Sequence, residues 1–398
     1  MNASHPPLQH DTPHRPFTPA FPSRLPDVGT TIFTVMSALA AEKGAVNLGQ
    51  GFPDFGCDPR ITDAVTQAMR DGHNQYPPMA GMPALREAIA DKIANVYGRH
   101  YDPNTEITVT AGATQALLTA ILCAVHPGDE VIVVEPTYDS YLPSIELAGG
   151  KPVFVTLEAP DYAIPFDRLA AAITPKTRML LINTPHNPTG RVWSAADMLR
   201  LQEIVRDTNV LIVSDEVYEH MVYDGAPHES VARYPDLAAR SFIVSSFGKT
   251  YHVTGWKIGY VAAPAPLTAE FRKVHQFNVF TVNTPMQVGL AHYLRDPSPY
   301  LELPAFYQKK RDYFRAGLAN TRFKLLPCEG TYFQCVDYSA ISDLPEAEFS
   351  KWLTTELGVA AIPVSAFYHE SHESGVVRFC FAKQESTLAT ALERLARL

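Results

Sequence analysis

Ile107-Thr108-Val109-Thr110-Ala111-Gly112-Ala113-Thr114 opens the stretch that decides the fold. Four residues of strand character meet a small-residue turn, and an apolar helical pattern follows over 115–125. The alternation then repeats. Strands are expected over 130–135, 152–157, 178–183, 209–214 and 241–245, with 258–261 as one more, and helical patterns such as 194–207 separate most of them. The runs are continuously Val, Ile and Leu rather than alternating, which marks strands covered on both faces. The expectation is an α/β fold with a mostly parallel seven-stranded sheet between helices.

Outward from this core the texture changes. Upstream, helical spacing runs over 31–42 and 82–97, with a proline-stiffened segment at 74–78 between them. Downstream of Pro297, a long helix is expected over 300–319, then short strands at 323–326, 332–336 and 376–381 and helices at 346–357 and 385–397. This reads as a smaller α+β domain. The expected division is a flexible N-terminal tail over 1–25, a large domain over 56–295, and a small domain built from 26–55 plus 296–398. His5, His10 and His14 fall in the tail and read as solvated.

The bulk properties exclude several functions. The 398 residues are 46% apolar, enough for two or three packed units. With 33 basic and 42 acidic side chains the net charge is −9, which argues against a nucleic-acid partner. No apolar run has the length of a membrane span. The five cysteines are scattered without a Cys-x-x-Cys pair, so reduced thiols and a cytoplasmic location are expected.

Ligands of parallel sheets bind at the carboxyl ends of the strands. The residues there are Gly112-Ala113-Thr114, Tyr138, Asn187, Asp215, Tyr218 and Lys249. A lysine at the end of a buried strand is costly unless its charge is used or removed, and desolvation makes its amine nucleophilic. Asp215 ends the run Val210-Leu211-Ile212-Val213-Ser214 and needs a partner if buried, although an N-cap role would also satisfy it. Asn187 lies in a Pro-interrupted loop that could be a plain turn. Together, one amine, one carboxylate and two hydrogen-bonding groups suit an aromatic aldehyde cofactor with a ring nitrogen.

Asn187-Pro188-Thr189-Gly190, Ser214-Asp215-Glu216-Val217-Tyr218 and Ser246-Phe247-Gly248-Lys249-Thr250, with Arg378 late in the chain, resemble the class I aminotransferases. These use pyridoxal phosphate on the aspartate-aminotransferase fold (fold type I). Asn47-Leu48-Gly49-Gln50-Gly51-Phe52-Pro53-Asp54-Phe55, Glu135-Pro136-Thr137-Tyr138-Asp139 and Gly255-Trp256-Lys257 are similar to the kynurenine and glutamine (type K) branch, and most of all to the bacterial methionine aminotransferases. The resemblance implies that Lys249 forms the Schiff base and shuttles the proton, that Asp215 pairs with the ring nitrogen, and that Tyr218 and Asn187 hydrogen-bond the ring oxygen. It implies Tyr138 stacked on the ring, and a phosphate cup from Ala113, Thr114, Ser246 and Lys257, completed by Tyr76 of a partner subunit. It also implies that Arg378, Gly51 and Asn187 hold the substrate carboxylate, with Phe33 and a partner-borne Phe280 around the side chain. The expected enzyme is a homodimer moving the amino group of an apolar or aromatic amino acid to a 2-oxo acid. Methionine is favoured, with phenylalanine, tyrosine, leucine and kynurenine also suited.

Rival readings remain beside this one. The same fold serves cysteine-conjugate β-lyases, and fold does not settle chemistry. A non-catalytic aminotransferase-like regulator would need an N-terminal helix-turn-helix domain. Gly248-Lys249-Thr250 echoes a P-loop, but Ile243 stands where that motif needs glycine, and Asp54 spoils a dinucleotide fingerprint in the same way. Lys257 is the competitor of Lys249 for the Schiff base. His369-Glu370-Ser371-His372 is one residue short of a zinc-protease motif and reads as a solvated loop.

Overall fold

Continuous apolar strands can be buried on both sides only when helices cover both faces, and one seven-stranded sheet meets that demand. The computed structural model describes residues 21–398; His5, His10, His14 and nearly all of the expected tail lie outside them. The strands are β1 (Val46–Asn47), β2 (Ile107–Thr110), β3 (Glu130–Glu135), β4 (Lys151–Thr156), β5 (Thr177–Asn183), β6 (Leu211–Asp215), β7 (Ser241–Ser246) and β8 (Gly259–Ala262). They continue with β9 (Lys324–Leu325), β10 (Phe333–Asp337), β11 (Val359–Ala360), β12 (Ile362–Pro363) and β13 (Val376–Cys380).

The large sheet has the order β2-β8-β7-β6-β5-β3-β4. The pairs among β4, β3, β5, β6 and β7 are parallel, and β8 runs antiparallel between β7 and β2. Alternate residues feed opposite faces, as the two-residue period of a strand requires. Val131, Val133 and Phe242 pack with Leu117 and Ile121 of helix Gly112–Ala124 and Phe271 of helix Ala265–Asn278. Ile132, Leu180 and Ile212 pack on the other side with Ile89 and Ile93 of helix Pro83–Tyr97, Leu201 of helix Ala195–Val205 and Leu290 of helix Thr284–Tyr293. Each such side chain contributes about 1.5–3 kcal/mol when fully buried, so the sheet is a rigid base for its loops.

A second, antiparallel sheet, β12-β13-β10-β9, carries a core that includes Phe314, Phe323, Phe349 and Phe379. Strand β1 pairs in parallel with β11, and the Cys380 N–H donates to Leu48 O at 2.7 Å. The Gly49-Gln50-Gly51 loop is thereby held beside β13 and faces the large sheet.

Some expectations need correction. The single helix expected over 300–319 is two, Ser298–Leu301 and Leu303–Leu318. Pro304 lies in the first turn of the second, where its missing N–H is harmless; inside one long helix it would clash with the preceding turn. The helix expected to start at Gln115 starts at Gly112. The loop at His369-Glu370-Ser371-His372 is exposed over 369–371, as expected, but its two histidine rings are packed. The His369 ring stacks on Phe154 at 3.6 Å, its N–H and Nδ1 meet Glu135 Oε2 at 3.0 and 2.9 Å, and His372 stacks on Tyr368. No group of side chains suited to hold a metal occurs among the described residues.

Candidate active site

The parallel strands end level with one another. Asn183 stands opposite Asp215, and Asp215 opposite Val244, so the chains leaving β5, β6 and β7 emerge on one edge. Strand β7 runs on to Ser246 and breaks into the single helical turn Phe247–Thr250, which carries Lys249. Gly259 of β8 pairs with both Ser246 and Thr110, which draws the start of helix Gly112–Ala124 to the same place. A Cβ on Gly259 would lie 2.6 Å from Ser245 O and 3.1 Å from the Gly112 carbonyl carbon, so only glycine permits this convergence.

A cavity of about 340 Å³ opens there, lined among others by Phe33, Gly51, Tyr138, Asn187, Asp215 and Lys249. Ala113, Thr114, Tyr218, Ser246, Lys257 and Arg378 also line it. Twelve sequence-predicted residues are thus brought together, and Tyr76 and Phe280 are not. Tyr76 is 81% exposed and packs edge-on against Phe280 with ring centroids 5.3 Å apart, outside the cavity of its own chain.

Asp215 is buried, and burial pushes its carboxyl up to about 6. The Tyr141 hydroxyl donates to Oδ2 at 2.7 Å and the Val217 N–H to Oδ1 at 3.3 Å, which together with nearby Lys249 favour the ionised form. Asp215 does not cap a helix. Lys249 Nζ donates to Tyr332 Oη at 3.0 Å and to Gly51 O at 3.2 Å, and sits 5.6 Å from the Tyr218 ring centre. Desolvation, reinforced by Arg378 and Lys257, outweighs the pull of Cys380 and Asp215 and lowers the Lys249 ammonium to about 8. Burial pushes the Tyr218 phenol up, so it remains a neutral donor.

The start of helix Gly112–Ala124 has no side-chain cap, which leaves first-turn N–H groups open at its positive end. Lys257 adopts a left-handed backbone, φ 55° and ψ 48°, and its Nζ would lie 3.4 Å from a Cβ built on Gly112. An ammonium beside the positive end of a helix is repelled unless an anion lies between them. This is the geometry of a phosphate seat. Ser246, whose Oγ accepts from Gly248 N–H at 3.2 Å, borders it.

Arg378 is 1% exposed on β13. It donates to Asn187 Oδ1 at 2.6 Å and to Gly49 O at 3.1 Å, lies 3.9 Å from the Phe333 ring centre, and its Nε has no partner. No carboxylate lies within ion-pair distance among the described residues. A buried, incompletely bonded guanidinium calls for an external carboxylate. The cavity thus offers a phosphate seat, a carboxylate for a ring nitrogen, a desolvated amine for an aldehyde and a guanidinium for a substrate acid. These residues fit pyridoxal phosphate with an amino acid.

Sequence reasoning missed Tyr332, Tyr141 and Phe333. Tyr332 and Phe333 read only as core of a strand in another part of the chain, and their approach to Lys249 and Arg378 spans long sequence separations. Tyr141 stood three residues beyond Tyr138, in a helix that went unread.

Comparison with known proteins agrees with this geometry. The family model for class I and II aminotransferases matches residues 43–395. Methionine aminotransferase of Escherichia coli is 50% identical over 377 residues, covering 94% of this chain and 98% of the relative. A crystal structure describing a methionine aminotransferase function for an E. coli protein superposes with a TM-score of 0.94 at 50% identity, covering 96% of this chain and all of that one. The solved N-succinyldiaminopimelate aminotransferase of Mycobacterium tuberculosis gives a TM-score of 0.92 at 42% identity, with 95% and 100% covered. Kynurenine–oxoglutarate transaminase 1 of Rattus norvegicus is 36% identical over 409 residues, covering 94% of this chain and 97% of the relative. On these grounds the chain belongs to the class I and II aminotransferases, enzymes that depend on pyridoxal phosphate.

Proposed function

We propose that this aminotransferase takes its amino group from an apolar or aromatic amino acid, methionine foremost, and passes it to a 2-oxo acid. One observation carries this reading. Arg378, the guanidinium lining the cavity, is walled by aromatic rings, with Phe333, Phe367 and Phe33 centred 3.9, 5.0 and 5.4 Å away. With Arg378 on the α-carboxylate, the side chain meets rings rather than a second cation, and thioethers pack well against rings. The names of the methionine and kynurenine relatives point the same way.

When bound, the cofactor supplies an aldehyde and a ring that accepts the electron pair freed at the substrate α-carbon. The chain's residues do the rest. Asp215, held by Tyr141, would keep a negative charge at the ring nitrogen. Tyr218 and Asn187 would serve the ring oxygen, Tyr138 would lie against the ring, and Ala113, Thr114, Ser246 and Lys257 would hold the phosphate. Arg378, Gly51 and Asn187 orient the substrate carboxylate. Lys249 Nζ, a neutral amine above about pH 8, would take up the substrate α-proton and hold it for return.

We further assign Tyr76 and Phe280 to the site of a partner subunit in a homodimer. Phe277, 90% exposed beside them, supports a covered surface there. Residues 56–295 form the large domain around the main sheet, and 26–55 with 296–398 form the small one. Five free thiols suit a cytoplasmic location, and no helix among the described residues is long and apolar enough to cross a membrane. A donor–acceptor matrix with purified enzyme tests the substrate class. Methionine and phenylalanine should exceed aspartate in kcat/KM, and the reverse order refutes the assignment.

A further inference from the structure

Lys249 lies at the centre of a hydrogen-bonded triangle that none of the family's expected roles requires. Its Nζ donates to Tyr332 Oη at 3.0 Å and to Gly51 O at 3.2 Å, while the Tyr332 hydroxyl donates its own proton to Gly51 O at 2.5 Å. The phenol proton is thereby committed to the carbonyl, and the phenol oxygen turns a lone pair toward the lysine. Both acceptors face one nitrogen.

Each side of the triangle is fixed from behind. Tyr332 is 0% exposed, and its carbonyl accepts from Phe381 N–H at 2.9 Å. The preceding Thr331 is held at φ 64°, a strained setting for a β-branched residue, by Met221 O on its N–H and the Tyr223 hydroxyl on its carbonyl. On the other side, Lys383 Nζ donates to Gln50 O at 3.4 Å and Phe52 O at 2.7 Å, so the carbonyls flanking Gly51 turn away and Gly51 O points into the cavity. A Cβ on Gly51 would meet the Phe333 ring at 2.8 Å, which pins the loop further.

We propose that Tyr332 is a positioning residue for Lys249. With Gly51 O it forms a prebuilt two-acceptor seat that holds the lysine nitrogen whenever that nitrogen is not bonded to the cofactor. The proposal rests on the reading of Lys249 as the proton carrier. Once the substrate has displaced it, Lys249 must take up the α-proton as an ammonium facing two other cations, Arg378 and Lys257, with Cys380, Asp215 and the Tyr218 ring as the groups that draw it, and burial outweighs that attraction. A bare ammonium there is expensive, and two aligned oxygens offset that expense until the proton is handed on.

The test uses Tyr332→Phe, which keeps the ring and removes the acceptor. In the full chain freed of cofactor, the pH dependence of Lys249 acylation by acetic anhydride, read by peptide mass spectrometry, should have its midpoint near 8 in the parent and about one unit lower in Tyr332→Phe. In the holoenzyme with methionine, kcat should fall about tenfold with KM held within about twofold, and the isotope effect from α-deuterated methionine should rise. An unshifted acylation midpoint overturns the proposal whatever the rates do, and so does a loss confined to KM. Should Tyr332→Phe fail to fold, 3-fluorotyrosine placed at 332 keeps the hydroxyl but weakens it as an acceptor. A smaller downward shift of the same midpoint then supports the seat, and none refutes it. A Lys249→Ala enzyme that still turns over would instead remove the proton-carrier reading and leave the seat's geometry untouched.

Discussion

Asp215→Asn should make the cofactor-free protein more stable while removing its activity. Burial raises the carboxyl from its ordinary 3.8 to about 6. The folded chain therefore keeps a proton on Asp215 that the unfolded chain releases between these values, and stability falls as pH rises through that window. A shift of about two pKa units at about 1.4 kcal/mol each makes the ionised carboxylate a burden of roughly 3 kcal/mol at pH 7. Asparagine has nearly the same shape and can still accept from the Val217 N–H, but it gives up the attraction for Lys249. A net gain of about 1–2 kcal/mol remains. Urea unfolding of the two cofactor-free proteins measures it directly. The advantage of asparagine should be near zero at pH 4, grow through pH 6 and level off by pH 7.5. With cofactor the order should reverse, because the ring nitrogen loses its anion. Equal stability at every pH, or an advantage that shrinks as pH rises, would refute the burial argument.

Two other substitutions separate the ends of the site. Lys257→Ala should weaken cofactor binding by about tenfold or more, and parent and variant should converge when cofactor saturates, read from the cofactor concentration that gives half-maximal rate. Arg378→Lys should cut kcat/KM for methionine by about 100-fold or more, since one ammonium cannot replace a two-pronged fork held by Asn187 and Gly49 O, while cofactor affinity stays within about threefold.

The parts of this fold written in local pattern were legible. Apolar runs such as Val131–Val134 can be buried on both faces only in a covered sheet, and the polar residues at their ends, Asn187, Asp215 and Lys249, converge because parallel strands end together. What sequence did not reveal lies in contacts between distant segments. Tyr332 touches Lys249 across 83 positions, and Arg378 reaches Asn187 across 191. Nothing in Gly330-Thr331-Tyr332-Phe333 distinguishes a hydroxyl that meets Lys249 from that of a core tyrosine; only the strained Thr331 turn and the antiparallel pairing of β10 with β13 give it that direction. The docked His369 was missed for a similar reason, since its partner Glu135 ends a strand 234 residues earlier. The break at Pro304 is written locally, because proline fits the first turn of a helix and not its interior.

Lys249, rather than Lys257, is proposed to carry the cofactor. Borohydride reduction of the holoenzyme, followed by proteolysis and mass spectrometry, tests it most directly. The reduced cofactor should be attached to the peptide bearing Lys249, Lys257 should be unmodified, and Lys249→Ala should yield no adduct and no turnover. An adduct on Lys257, or a Lys249→Ala enzyme that still transaminates, would contradict it.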